Sequence, residues 1–417
     1  MKSVGLITEY NPFHNGHLHH LQESRKVADA EVAVAVTSGH FLQRGEPALV
    51  DKWQRTRMAL SAGVDVVVEL PFPWACNSAP RFAEGAVASL DALGGIDALC
   101  FGSEVGRLES LQYCVDLLQR HAAELVRRTS SLLRSGMTYP EARAQVLSQL
   151  AENPLVAELL RSPNNILGIE YLKALRQAGS PMRPLTVPRL GAGYHDIEAA
   201  GAIASATGIR RRLAEGGEVA PLLPEPVYAL LQQTLSAGHS VDEEVLHRLL
   251  VARIGRGAAS LTALYQLEEG IENRLAEAAD VSGSYRDLVD AVKARHFTRT
   301  RIQRLLCYVL NEVEREEMEE FLAVGPLYLH LLGCTERGRA FLAASRKHLR
   351  LPLVANYSRF HSALKRHYGP QSGSYRLAER MLAMEVRTTR NYTLLLKKWE
   401  GGNRSRDFYE EMIRSGE

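Results

Sequence analysis

Two histidines three residues apart, His14 and His17, flank Gly16 in the run YNPFHNGH that follows the apolar stretch SVGLIT. Asn11 and Pro12 break a strand, Gly16 lets the backbone approach a ligand or pack closely, and a helix begins near His17. A helix N-terminus exposes unpaired N–H groups and the positive end of its dipole, which suits phosphates. Imidazoles at such a point donate to phosphate oxygens as charge develops on them. The chemistry this spacing predicts is stabilisation of a triphosphate attacked at its α-phosphorus, with His14 and His17 as the catalytic pair. A zinc site made of His14, His17 and one of His19 or His20 is the weaker alternative, because no cysteine or carboxylate at ligand spacing completes it. His19 and His20 are expected as ordinary residues of the helix that follows.

A second constellation stands far along the chain. IASATGIRRRL (203–213) sets Ser205 and Thr207 at a helix start with Arg210 one turn in, which makes hydroxyls and a guanidinium available to another anion. Alone it reads as a plain N-cap beside a surface arginine. Its pairing with HxGH after the first strand is what gives it weight.

Such residues need a scaffold that brings strand ends and helix starts together. Short Val- and Ile-rich runs at 3–8, 31–37, 65–70 and 96–103 alternate with helical patterns at 17–28, 51–63 and 79–94. Nearly continuous apolar strands separated by helices predict an α/β fold with a doubly wound parallel sheet, covered on both faces. Residues 107–160 read as a helical insertion, after which the rhythm resumes with a helix at 162–179, a strand at 183–190 and a helix at 201–216. From about 217 the periodicity is almost wholly helical. The expected organisation is a catalytic domain over 1–216 and a mostly α-helical region over 217–417.

At 417 residues, with 46% hydrophobic and 24% charged side chains, the chain is long enough for two or three ordinary globular cores. No run approaches the 18 apolar residues of a membrane helix, and the glutamate in MKSVGLITEYNPF comes too early for a signal-peptide core. Five widely spaced cysteines without a CxxC pair fit reduced thiols in the cytoplasm. The formal net charge of +2 hides an asymmetry: residues 321–406 hold sixteen Lys/Arg against four Glu and no Asp. A basic segment of that kind predicts a polyanion partner.

VGLITEYNPFHNGHLHHL, SGHFLQRGEPALVDKWQRTRMAL, DVVVELP, CFGSE and SPNNILGIEYLKAL occur in that order, and TRTRIQRLLCYVLN follows in the second half. Together they closely resemble the bacterial tRNA(Met) cytidine acetate ligases of the nucleotidylyltransferase superfamily, whose HxGH and ISxTxIR-like motifs match the two constellations above. The resemblance implies a Rossmann-like fold of nucleotidylyltransferase type. It also implies that ATP and acetate give acetyl-adenylate and pyrophosphate, after which the acetyl group passes to the wobble cytidine of elongator tRNA(Met) to give N4-acetylcytidine. Carried over on the matching positions, the ATP loop comprises Ile7, Thr8, Glu9, Tyr10, Asn11, Pro12, Phe13, His14, Asn15, Gly16, His17, Leu18, His19 and His20. Further nucleotide contacts fall on Gly102, on Asn164 or Asn165, and on Arg189, with Ser205, Thr207 and Arg210 from the second motif. Mg²⁺ is expected to arrive with ATP, and no protein ligands for it are apparent in the sequence. Nor does the sequence show the acetate pocket or the oligomeric state. The loop 38–48, with Gln43, Arg44 and Glu46, is expected above the strand ends, either touching substrate or as a structured surface loop.

The tRNA side is expected on KARHFTRTRIQR, where Lys293, Arg295, Arg299, Arg301 and Arg304 stand without an acid. Tyr357, Phe360, Tyr368, Tyr392 and Trp399 are interspersed among later basic helices and offer stacking surfaces for unpaired bases. The competing readings are a small-molecule nucleotidylyltransferase of cofactor synthesis, which needs no long basic surface, and a non-catalytic RNA-binding protein, which needs neither His14 nor His17.

Overall fold

The computed structural model describes residues 1–189, 203–293 and 297–415. Leu190, Gly201 and Ala202 at the edges of expected elements, and Arg295, lie outside the described residues.

Among the described residues eight strands form one sheet: β1 Ser3–Thr8, β2 Val32–Ser38, β3 Val66–Leu70, β4 Ala98–Ser103, β5 Arg183–Pro188, β6 Leu329–Cys334, β7 Leu353–Val354 and β8 Ile413–Arg414. Their order is β5-β4-β1-β2-β3-β6-β7, with β8 also on β6. The first five run parallel, and β6 joins β3 antiparallel. Alternation along each strand feeds two cores. Val32, Val34 and Val36 of β2 face one apolar cluster while Ala33 and Ala35 face the other. Helices Ala79–Leu93 and Pro163–Ala178 cover the first face, and Asn15–Ala28, Lys52–Ser61 and Glu225–Ser236 cover the second. This is the doubly wound arrangement expected of β-branched strands buried on both sides.

The insertion is helical as expected, built of Leu108–Arg120, Ala122–Arg134, Tyr139–Leu150 and Leu155–Leu159. The second half is mostly helical too, but it also supplies β6, β7 and β8 to the sheet of the first 216 residues. β7 and β8 are two residues each, too short to show a period, and β6 is a single apolar run, LHLLGC. A buried ionic knot fastens this return. Lys52 Nζ lies 2.9 Å from Glu69 and 2.7 Å from Asp407, and His330 Nδ1 is 2.5 Å from Glu69. Burial opposes ionisation of Glu69, yet Lys52 and His330 outweigh it and hold the carboxyl down at about 2. Arg406 meets Asp51 at 2.8 Å beside it, so neither charge of that pair is stranded.

Because β2 and β4 leave β1 on opposite sides, the strand order reverses between β1 and β4. Ligands of open α/β sheets bind at the carboxyl ends of strands at that reversal.

Candidate active site

A cleft of about 1450 Å³ opens at this point, roomy enough for a nucleotide and part of a second substrate. Thr8 at the end of β1 and Glu9 after it, Phe101 and Gly102 of β4, and Val187 to Arg189 at the end of β5 line the cleft.

Leaving β1, the chain turns sharply: Tyr10 takes a left-handed φ of 49° and the Asn11–Pro12 peptide is cis. Arg55, fully buried, holds this turn. Its guanidinium donates to the carbonyls of Glu9 at 2.7 Å, Ser38 at 3.0 Å and Val50 at 3.3 Å, and to that of Gly39. The strand ends of β1 and β2 are thereby tied to helix Lys52–Ser61.

His14 is the N-cap of helix Asn15–Ala28 and closes a capping box with His17. His14 Nδ1 accepts from the Gly16 N–H at 3.1 Å, and His17 Nδ1 accepts from the His14 N–H at 3.3 Å. The two rings stack with centroids 3.7 Å apart. A Cβ on residue 16 would stand 2.9 Å from His14 Cε1, so only glycine lets the ring fold over the helix start. With both Nδ1 atoms accepting, each neutral imidazole carries its proton on Nε2. Burial, and then Arg189, pushes the His14 imidazole down to about 4; burial, then His14 and Arg189, drives His17 well below its ordinary range. Two neutral N–H donors therefore lie in the cleft at the positive end of a helix.

Of the fourteen residues from Ile7 to His20, eight line the cleft: Ile7, Thr8, Glu9, His14, Gly16, His17, His19 and His20. The other six carry structure. Tyr10 and Phe13 are core, Leu18 packs against that core, and Asn11 Oδ1 accepts from Leu49 N–H at 2.7 Å. Asn15 Nδ2 donates to the Pro221 carbonyl at 2.9 Å, and Pro12 is buried in the turn. His19 and His20, expected as bystanders, are placed on the cleft wall. His20 is pushed down to about 4 by burial and then by Arg189, and its Nε2 has no partner among the described residues.

Gly102 lies under Arg189, whose Cγ would be 3.2 Å from an added Cβ. The two asparagines separate in role. Glu104 takes the backbone N–H groups of Asn164 and Asn165 at 3.1 and 2.7 Å, capping helix Pro163–Ala178. Asn164 faces the cleft, whereas Asn165 is buried and accepts from Val105 N–H at 3.1 Å. Ser205 caps helix Ala206–Ala214 and reaches the cleft, but Thr207 and Arg210 do not line it. Arg210 instead donates to the Asn11 carbonyl at 3.0 Å and pairs with Glu46 at 2.9 Å, clamping the turn after β1 to the loop 38–48.

That loop lines the cleft through Gln43 and Arg44. At Gly45, with φ +80°, a Cβ would fall 2.1 Å from the backbone nitrogen of Arg304, so the loop rides directly on helix Arg299–Asn311. Thr298, Thr300, Arg301 and Arg304 of that segment line the same cleft as His14 and His17. Arg301 pairs with Glu268 and lies over the Phe297 ring. Arg299 pairs with Asp290 at 2.7 Å away from the cleft, and Lys293 is exposed. The aromatics expected to stack on bases are mostly core instead: Tyr357, Phe360 and Tyr392 are buried, and Tyr368 donates to the Leu327 carbonyl at 2.7 Å. Trp399 alone of that set is exposed, at 52%.

Glu104 and Tyr171 were missed in the sequence. Glu104 acts on a helix sixty residues away, which leaves no local mark. Asn164, Leu167 and Tyr171 recur at three- and four-residue spacing on one helix, a readable signal for a cleft-facing stripe.

The family model described as HIGH nucleotidyl transferase matches residues 1–407. The chain is 59% identical over 411 residues to a tRNA(Met) cytidine acetate ligase of Syntrophotalea carbinolica, covering 98% of each. It is 35% identical over 416 residues to one of Caldanaerobacter subterraneus subsp. tengcongensis, covering 99% of this chain and all of that one. A crystal structure of Thermotoga maritima TmcAL bound with alpha-thio ATP superimposes with a TM-score of 0.91 at 35% identity, over 99% of both chains.

Proposed function

Since this chain belongs to the HIGH nucleotidyl transferases and, within them, to the tRNA(Met) cytidine acetate ligases, we propose that its cleft carries out both halves of that reaction. It is an ATP-dependent ligase that modifies tRNA. In the first half, an acetate oxygen attacks the α-phosphorus of ATP, the bond to the β-phosphate bridge breaks, and pyrophosphate leaves with the electron pair. The Nε2–H groups of His14 and His17 meet the charge that grows on the triphosphate, and Arg189 adds a cation above Gly102. Neutral donors suit this task, because they bind developing charge without holding pyrophosphate as two imidazolium ions would.

In the second half, the exocyclic N4 of the wobble cytidine attacks the acetyl carbon and AMP departs. The observation that carries this reading is that His14 and His17 line the same cleft as Arg301 and Arg304. In this proposal a nucleotide on the two imidazoles presents its activated carbonyl to an RNA held by the two arginines. Elongator tRNA(Met) is the RNA and acetate the acyl donor in this proposal. Among the described residues no three His, Cys, Asp or Glu side chains gather as a metal-holding set. Mg²⁺ would enter as part of the ATP substrate.

The test is purified protein with radiolabelled acetate, ATP and total tRNA, without acetyl-CoA. Label in N4-acetylcytidine supports the reading. Absence of both labelled tRNA and acetate-dependent pyrophosphate release would sink it.

A further inference from the structure

Attack by an exocyclic amine on an acyl-adenylate must release a proton. Cytosine N4 is conjugated with its ring and weakly nucleophilic, so the proton has to leave as the N–C bond forms. A base within the cleft is required.

Among the described residues three carboxylates line the cleft: Glu9, Glu104 and Glu170. Both oxygens of Glu104 are committed to the start of helix Pro163–Ala178, Oε1 to Asn164 and Oε2 to Asn165 at 2.7 Å. Both oxygens of Glu170 are held by cations, Oε1 by Arg143 at 3.2 Å and Oε2 by Lys173 at 2.5 Å. Glu9 differs. Its Oε1 accepts from the Gln43 N–H at 2.7 Å, Oε2 has no partner among the described residues, and the residue borders the cleft. Its main chain is fixed by Arg55. His14 and His17 offer no substitute at Nδ1, since each uses that atom to accept a backbone N–H group, and the unpartnered His20 Nε2 is buried. Tyr171 on the facing helix is kept a phenol by burial.

We propose that Glu9 is the general base of the acetyl transfer, its free Oε2 accepting a hydrogen bond from cytosine N4 and then taking its proton as AMP leaves. The assignment rests on the reading of the cleft given above. Bond-making is N4 to the acetyl carbon and bond-breaking is the acetyl carbon to the AMP oxygen. The electron pair goes to the phosphate and the proton to Glu9. A carboxylate is also the group that selects an amine at this position, since cytosine presents a donor there and uracil an acceptor. Burial raises the Glu9 carboxyl above its ordinary range and nearby Glu46 does the same, while the Gln43 N–H, Arg44 and Arg55 oppose the rise. That places a base closer to working pH than an exposed glutamate.

Enzyme loaded with ATP and labelled acetate, then mixed with tRNA in a single turnover across pH, tests this. Wild type is expected to show a rate that climbs with pH through one ionisation. Glu9→Gln keeps an acceptor for the Gln43 N–H, and is expected to slow transfer by about 10²–10⁴-fold, far more than it slows acetate-dependent pyrophosphate exchange, with the climb abolished. Glu9→Asp should keep a climb, displaced along the pH axis. If the Gln variant fails to fold, the Asp variant decides: a climb at the wild-type position overturns the assignment. It is also overturned if Glu9→Gln retains the climb, if it slows exchange and transfer equally, or if the climb is lost in His19→Gln instead. A wild-type enzyme that labels no tRNA defeats the proposed function rather than the role of Glu9.

Discussion

His17→Ala removes more than one donor. In the proposed reaction the His17 ring supplies an Nε2–H to the triphosphate; in the structure it accepts the His14 N–H through Nδ1 and stacks on the His14 ring at 3.7 Å. Loss of a single preorganised donor at a developing anion typically costs about 10²–10³ in rate, or ~3–4 kcal/mol. Here the deletion also frees the His14 backbone N–H and leaves the second imidazole without its stacking partner. The His17→Ala variant is therefore expected at the upper end, about 10³-fold down in acetate-dependent ATP–pyrophosphate exchange. His14→Ala should fall short of it, because the His17 ring keeps its hold on residue 14 through the backbone. If the pair acted independently, the double variant would lose about 10⁴–10⁶, the product of two single losses. Coupled by the capping box, the double variant is expected within about tenfold of His17→Ala, the pattern of residues that act as a unit. Exchange within tenfold of wild type for His17→Ala, or fully multiplicative losses, would refute the coupled-donor reasoning. Binding of tRNA by filter retention should persist in all three variants.

Arg55→Lys keeps the buried charge but cannot reach four carbonyls at once. With charge-assisted hydrogen bonds worth about 1.5–3 kcal/mol each and partly replaceable, a loss of about 3 kcal/mol in denaturant unfolding is expected; a loss below about 1 kcal/mol contradicts the anchoring role. His14 is neutral in the folded protein, at about 4, and protonates near 6.5 when unfolded, so the unfolded chain binds the extra proton. Stability should be flat above that value and decline between pH ~6.5 and ~4 by up to ~3 kcal/mol; an acid slope unchanged in His14→Asn would refute this. Replacing Arg301 and Arg304 by Gln should reduce the slope of log K against log salt for tRNA by about 1.5. An unchanged slope in competition binding would mean that neither meets a phosphate.

Much of this was readable because it is local. The Val-rich strands, the helices between them and the insertion follow from period and composition, and the first five strands fall within two residues of their expected bounds. The HxGH helix start was readable for the same reason: cap, glycine and imidazoles all stand within four residues. Assignments that depend on distant partners were not. Arg210 looked like an anion ligand from its motif, but Glu46, 164 residues away, holds it. Asn165 looked equivalent to Asn164 until the Val105 amide and Glu104 were in place. Glu9 passed for one more loop residue. Only the folded cleft shows that Glu104 and Glu170 are saturated while Glu9 keeps one oxygen open.

The basic excess at 321–406 illustrates the difference between charge in a sequence and charge on a surface. Arg337, Arg380, Arg387 and Arg406 reach out of the segment to Asp65, Glu317, Glu320, Asp51 and Glu410. Arg337 and Arg406 contribute to holding the return of the chain onto the sheet, while Arg380 and Arg387 tie helix Gly373–Leu394 to helix Arg315–Val324. Eleven others, among them Arg346, Lys347, Arg350, Lys365 and Arg366, are exposed with no ion pair among the described residues. They are free to act on a polyanion at long range. Screening limits that reach to about 8 Å at physiological salt, so they speed encounter and add affinity without choosing a nucleotide. In the proposed reaction choice has to happen where a base meets fixed polar groups, which is the cleft with Glu9, Gln43 and Arg44 on its wall. Removing exposed cations in 346–366 should therefore lower the association rate for every tRNA alike, whereas changes at Glu9 should alter which base reacts. Stopped-flow association and product analysis on the same variants separate the two, and a base preference that follows the outer cations would overturn this division.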